Sequence, residues 1–409
     1  TILDAAGVTI PDVIEGSSIL NTFTSPVDQP KKPVFMEFGR FEVDHDGFGA
    51  FQPLRAVFDG RYKLSVNLMS TDELYDLEKD PYELDNLIND DTHAVLRDSL
   101  HNLILEHMNE TRDPFRGVYW HARPWRKDFK STWEYTEYTR ARKTDGYNPR
   151  SLDYNTGLEV EKYSWPKQQD RAMDIRYPIH IFALLSLSQA SSAQKKPAMD
   201  QKKPNVLFVM SDQHRRQALG FMKEDPVITP NLDKFAKEAV TFTRAYSAHP
   251  VSGPNRACLF SGKYTQNNKV FGNDCRLEDD GNGMGALFKK SGYSTGYIGK
   301  WHLDGHEGGK YSFVPRERRL GFEYWLISQG HRHFDGRYYG DKDSLIVTGR
   351  WMPDYETEKA LEFLKNRNGE RDEGKPFCLV VSYAPPHNGM GPGFQNKHNI
   401  GHWNALLKD

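Results

Sequence analysis

The spacing of apolar and polar positions divides the chain into two parts with different periods. In the first, residues 33–38 read as a strand, and Leu54–Phe58 and Arg61–Asn67 as two more, joined by Asp59-Gly60. An Asp-Gly pair between two apolar runs is a strong hairpin signal, because both residues accept the positive φ of the favoured turn. Leu74–Leu77 adds a further short strand, and Asp80-Pro81 opens a helical turn. Residues 92–108 predict an amphipathic helix with Leu96, Leu100, Leu103, Ile104 and Met108 on one side. Thr1–Gly7 reads as a helix end with a glycine stop.

The second part begins at Pro204. Asn205–Met210 is a continuous apolar run, as in a strand buried on both faces, and it ends in Ser211-Asp212-Gln213-His214. The carboxyl ends of such strands are where open α/β sheets bind ligands. Thr229-Pro230-Asn231 predicts a capped helix over Leu232, Phe235, Ala236 and Ala239. Met284–Lys290 predicts a helix stopped by Gly292, and Tyr293–Ile298 a strand. Thr357–Asn366 predicts a helix with Leu361 and Leu364 inward, ending near Gly369, and Pro376–Tyr383 another strand. Strands alternating with helices predict an α/β domain.

Between the two parts the periodicity fails. Residues 111–172 interleave basic residues with aromatics such as Trp120, Trp125 and Trp133, a mixture that suits RNA or sugar contact. A tail wrapped on the first part is the reading preferred for an almost neutral chain. The run Ile179–Leu187, followed by Ser191-Ser192-Ala193, reads as a secretory signal peptide, with a buried helix as the alternative. It is too short for a stable membrane span. Lys195–Lys203 is a polar linker.

Composition narrows the picture. Hydrophobic residues are 37% and aromatics 12% of 409 residues, enough for a substantial core and unlike a disordered chain. A formal net charge of −2 leaves no nucleic-acid footprint. The three cysteines, Cys258, Cys275 and Cys378, make no C-x-x-C pair, which argues against a thiolate metal site or a disulfide framework. Cys258 reads as packing, and the acid-rich Asp72–Asp91 stretch as a solvated face.

Candidate chemistry concentrates at Pro250–Gly262. Pro254 suits the first turn of a helix, which puts Ser252 at its N-terminus, where backbone N–H groups and the dipole favour an anion. Arg256 lies one turn on, in reach of the same anion. An ordinary capped helix start has the same spacing. Asp212 and Gln213 offer hard oxygen ligands for Ca2+ or Mg2+. Val43-Asp44-His45-Asp46 is an acid-histidine cluster, although Gly47 and Gly49 point to a loop; His45, His306, His331 and His333 are candidates to line a cleft.

The pattern Ser252, Pro254, Arg256, Ser261 and Gly262 resembles the sulfatase signature, and Gly299–Leu303 and Pro385-Pro386-His387 are family-like stretches in the right order. In the first part, Arg61–Leu64, Glu73–Leu77 and Asp80–Glu83 resemble the small C-terminal subdomain of the same family. The resemblance implies an alkaline-phosphatase-like α/β fold, with a mixed sheet sandwiched by helices, plus a small antiparallel sheet with a helix. It implies a sulfuric ester hydrolase acting on sulfated carbohydrates or aryl sulfates, secreted or periplasmic. Ser252 would be converted to formylglycine by a maturase, of the anaerobic radical type since the residue is Ser, and would attack sulfate beside Ca2+ or Mg2+. Asp212, Gln213 and Ser252 would face the metal. Arg256 and Lys300 would stabilise charge, His302 would move a proton, and His387 would contact sulfate or protonate the leaving oxygen. Without the resemblance, Lys300 reads as a surface lysine and His302 as a core histidine.

The parts stand in swapped order: residues 1–125 resemble the C-terminal subdomain, 126–203 hold the tail, signal-like run and linker, and 204–409 resemble the N-terminal catalytic half. The family's middle segment, with two further metal ligands and a lysine, fits nowhere; Val43–Asp46 is no replacement, since no long apolar strand precedes it. A fusion of two sulfatase gene pieces and a permuted, shortened chain both give this order. Two other functions stay open: an inactive or partial fusion, and a phosphatase or phosphodiesterase of the same superfamily using unmodified Ser252.

Overall fold

The computed structural model describes residues 1–24, 32–40, 52–111, 113–127, 203–242, 245–305, 312–330 and 333–387. The cluster at 43–46, the signal-like run, most of the linker, His306 and His331 lie outside the described residues.

In the first part, strands β1 (Val34–Arg40), β2 (Gln52–Phe58), β3 (Tyr62–Asn67) and β4 (Glu73–Asp76) pair antiparallel in sequence order. Gly60, at φ 107°, turns the hairpin between β2 and β3. Helix α1 (Ala94–Glu110) closes one face: Leu100, Ile104 and Met108 pack with Val57, Leu64, Val66 and Leu74. Burying each such side chain stabilises by about 1.5–3 kcal/mol. Trp120 and Trp125 belong to the same cluster, so the start of the aromatic tail enters this core as far as Trp125.

Two expectations fail here. Residues 81–90 form turns rather than a helical turn, with Asp80 accepting from the Asp85 N–H (2.9 Å). The acid-rich stretch is not wholly solvated, because Asp72 and Asp76 are buried. Asp72 accepts from Arg123 (2.7 and 2.9 Å), the Trp125 indole N–H (2.8 Å) and the Asn67 N–H (2.9 Å). Asp76 takes a two-pronged bond from Arg61 (2.6 and 3.0 Å). A paired carboxylate tolerates burial where a lone one does not.

The second part runs β5 (Val206–Asp212), α2 (Pro230–Glu238), α3 (Ser252–Ser261), α4 (Met284–Lys290), β6 (Ser294–Lys300), β7 (Tyr324–Ser328), a small hairpin of β8 (Arg337–Tyr338) and β9 (Ile346–Val347), α5 (Met352–Lys365) and β10 (Phe377–Pro386). Strands β5, β10, β6 and β7 form a parallel sheet in that order. An antiparallel bridge between Ile327 and Tyr339 extends its β7 edge. On one face lies an aromatic core including Phe260 of α3, Phe288 of α4, Tyr297, Trp301 and Trp325. On the other, Met352, Ala360 and Phe363 of α5 pack on Ile298, Leu379 and Val381. No helix among the described residues is long and apolar enough to cross a membrane.

Three details depart from the periodicity. β5 is not buried on both faces: Leu207 and Val209 are 50% and 55% exposed. It is the last strand of the described sheet, and only its other face meets the aromatic core. In α2, Leu232 and Phe235 are exposed, and the Thr229 hydroxyl donates to Asp233 (2.6 Å) instead of capping the backbone. α5 starts earlier than predicted, with Pro353 in its first turn, and buries Met352, Glu356, Ala360 and Phe363. That four-residue spacing turns Leu361 outward.

The first part sits directly on the second. Ala6 and Val8 are buried in the aromatic core of the larger sheet, and the Glu37 N–H on β1 donates to the Ala248 carbonyl (2.7 Å).

Candidate active site

Four elements end at one point. Strand β5 delivers Asp212 at its carboxyl end, β6 delivers Lys300, and β10 delivers His387 just beyond Pro386. Helix α3 begins there with Ser252, its N-cap being Val251. Pro254 sits in the first turn, as the spacing predicts, where its missing N–H costs no helical bond.

Ser252 is surrounded by functional groups. Its hydroxyl donates to Asp212 Oδ2 (3.2 Å) and accepts from Arg256 Nε (3.3 Å). His302 Nδ1 stands 3.1 Å from the same oxygen. Asp212 Oδ2 also accepts from Arg256 Nη2 (3.2 Å) and from the Lys300 ammonium. Burial works to raise the Asp212 pKa, but Lys300 and Arg256 outweigh it and hold the carboxyl well below its ordinary range. Lys300 is fully buried, so it is not a surface lysine. The His387 N–H donates to the Asp212 carbonyl (3.1 Å), and the charge of His387 acts on the Asp212 carboxyl. Ser252, Arg256, Lys300, His302, His387 and Asp212 thus form one cluster. Gln213 follows Asp212 at the strand end, with φ 56°.

The scaffold fixes the arginine tightly. Arg256 Nη1 donates to the Lys300 carbonyl (2.8 Å), to Ser382 Oγ (2.8 Å) and to Tyr297 Oη (3.4 Å). Tyr297 in turn donates to the Lys300 carbonyl (2.6 Å). Gln213 and His302 (φ 58°) both hold left-handed backbone, which costs of order 1–3 kcal/mol outside glycine and clusters at functional sites. Gly299 is required for a different reason: at φ 99°, a Cβ there would stand 2.2 Å from the Ser382 carbonyl oxygen on the neighbouring strand.

Sequence reasoning missed Tyr297, Ser382 and Glu356. The first two sit on the strands that deliver Lys300 and His387, but no motif marks them. Glu356 is fully buried under Gly299, its Oε1 accepting from Tyr338 Oη (3.1 Å) while Oε2 has no hydrogen-bond partner. Burial pushes its pKa up to about 8, against the lowering effects of the Tyr338 bond and Arg256. His333 is buried, with its ring edge-on to Trp351 (5.5 Å). Cys258 packs beside Thr265, and burial pushes its thiol up to about 11, so it is no nucleophile at neutral pH.

For a hard cation the described donors are too few. Asp212 and Gln213 offer three side-chain oxygens, one of which already accepts from Arg256 and Lys300, whereas Ca2+ takes about six to eight. No group of three His, Cys, Asp or Glu residues that would hold a metal ion occurs among the described residues. What they do offer is a hydroxyl beside Arg256 and Lys300 with a single carboxylate between them, at a helix N-terminus. That balance suits an anionic ester.

The site thus lies at the carboxyl edge of a parallel sheet in an α/β protein. Residues 204–400 match the Sulfatase family model, and residues 1–110 match the model described as N-sulphoglucosamine sulphohydrolase, C-terminal. The chain therefore carries sulfatase-family sequence in both its parts, with the alkaline-phosphatase-like α/β fold class, and the stretch matching the C-terminal model comes first. It is 38% identical over 213 residues to an ulvan-active sulfatase of Formosa agariphila, covering 51% of this chain and 41% of that protein. It is 34% identical over 214 residues to an N-acetylglucosamine-6-O-sulfatase of Bacteroides thetaiotaomicron, covering 51% of this chain and 35% of that protein. A solved structure concerned with glycosaminoglycan metabolism by Bacteroides thetaiotaomicron is 31% identical, covers 50% of this chain and 49% of that one, and has a TM-score of 0.45. The chain thus spans less than half the length of the two sulfatases.

Proposed function

We propose that this chain is a sulfuric ester hydrolase for sulfated carbohydrates, with Ser252 as the residue converted to formylglycine by a serine-specific maturase. The observation that carries the reading is the Ser252 hydroxyl, held at a helix N-terminus within 3.3 Å of Arg256 Nε and 3.1 Å of His302 Nδ1. A formylglycine there supplies a hydrated aldehyde as the nucleophile toward sulfur. The chain's own residues do the rest. Arg256 and Lys300 offset the charge of the ester and are held rigidly enough to do so without rearranging. His302 takes or returns a proton at the position of the Ser252 oxygen. His387, just beyond the end of β10, contacts the sulfate or protonates the leaving oxygen. Relatives named for ulvan and for an N-acetylglucosamine sulfate ester support a sulfated glycan as substrate. The signal-like run supports export to the periplasm or beyond.

Peptide mass spectrometry across Ser252, on protein made with a serine-competent maturase, tests this. The expected result is the loss of two hydrogens at Ser252, followed by turnover in a panel of sulfated sugars. Unmodified Ser252 beside an active maturase would overturn it.

The short donor set for a hard cation among the described residues favours a second reading, a partial protein that does not turn over ester. Modified protein that neither binds Ca2+ in calorimetry nor releases sulfate would decide for that reading.

A further inference from the structure

Among the described residues, the two parts meet along a seam of direct contacts between residues at or before 127 and residues at or beyond 203. At one end, the Tyr293 hydroxyl donates to the Ala6 carbonyl (3.0 Å) beneath a surface that buries Ala6 and Val8. Nearby, the Glu15 N–H donates to the Gly262 carbonyl (2.9 Å), and the Glu15 carboxylate accepts from the Tyr264 N–H (2.5 Å) and the Asn267 amide. At the other end, the buried Glu37 carboxylate accepts from the Gln266 amide, and the His107 ring of α1 meets Tyr264 edge-on at 5.2 Å. Arg55 lies 3.7 Å from Glu37 and 2.6 Å from Asp113, so the buried acids have a counter-charge within the first part.

We propose that residues 1–127 and 203–387 bind one another as two chains would, without needing the residues that connect them. A tether contributes only effective concentration, of millimolar order for a flexible connection. The seam itself has what a lasting interface needs: apolar side chains buried in the partner's core, main-chain bonds and a buried amide–carboxylate bond across it. Parting it would return Ala6 and Val8 to water and strip Glu37 of its Gln266 bond, leaving polar groups half satisfied. The partner that fits each surface is the other part of this same protein, whether joined to it or not.

The test uses the full chain with a site-specific protease sequence inserted after Arg150, cut after folding. Cleavage is confirmed on a denaturing gel, and the product is followed by size-exclusion chromatography with light scattering. The expected result is one species near the intact 47.1 kDa at low micromolar concentration. In the Glu15→Ala variant, which loses two seam bonds without touching either core, the concentration at which the fragments part should rise roughly tenfold. Fragments that separate in the unsubstituted protein would overturn the proposal, and so would a dissociation that Glu15→Ala leaves unchanged. The readout needs no catalytic activity, so it stands or falls apart from the proposed function.

Discussion

Replacing Glu356 by Gln should abolish a large pH dependence of stability. Glu356 is fully buried, and burial raises its pKa from 4.5 to about 8. A carboxyl whose folded pKa is raised binds a proton in the native state that the unfolded chain has already released. Its stabilising contribution is complete below pH 4.5 and is lost as pH climbs to about 8. Each pKa unit is worth about 1.4 kcal/mol, so between pH 5 and pH 8 the loss is of order 4 kcal/mol. Gln keeps the shape and the acceptor for Tyr338 but has no proton to lose. Urea unfolding of both proteins at pH 5, 6, 7 and 8 isolates the effect, because Glu37, also raised by burial to about 7, is common to both and cancels. The variant should match the parent near pH 5 and exceed its stability progressively toward pH 8. A difference that stays flat over that range would show that Glu356 is ionised in the folded protein, and the account of its burial would fail.

Gly299→Ala should lower the melting temperature by roughly 5–10 °C, since the new methyl overlaps the Ser382 carbonyl at a backbone angle that favours glycine; an unchanged melt would refute the close approach of β6 and β10. Asp212→Asn should cost about 3–5 kcal/mol in urea unfolding, because it removes a carboxylate paired with both Lys300 and Arg256; a loss under about 1 kcal/mol would show that the cations are solvated.

Much of the site was legible because its residues sit where strands stop and a helix starts. Pro254 and Arg256 fix the register of α3, and the apolar runs before Asp212, Lys300 and His387 bring those three to one edge once the strands are parallel. Tyr297 and Ser382 were not legible, because their meeting with Arg256 depends on which strand lies beside which, and period-two patterns carry no such information. Glu356 was hidden by a second effect: its charge argues for solvent, while the spacing of Met352, Ala360 and Phe363 rotates it inward. The same reasoning erred the other way at Leu207 and Val209, whose apolar character says nothing about whether a neighbour covers them. Asp72 reads as solvated until Arg123, far along the chain, is brought to it by the fold.

The order of the parts has a cost in time. Seam bonds link residues 229, 249 and 287 positions apart. Synthesis runs from the amino end at about 5–20 residues per second, so Glu37 waits roughly 10–50 s on the ribosome before Gln266 has been made. Throughout that interval the small sheet and α1 can form from local contacts, but the surface that will meet the second part stays open to the cell. The chain is born with its docking face first and its dock last, and a holding chaperone should find its longest engagement with the nascent chain there.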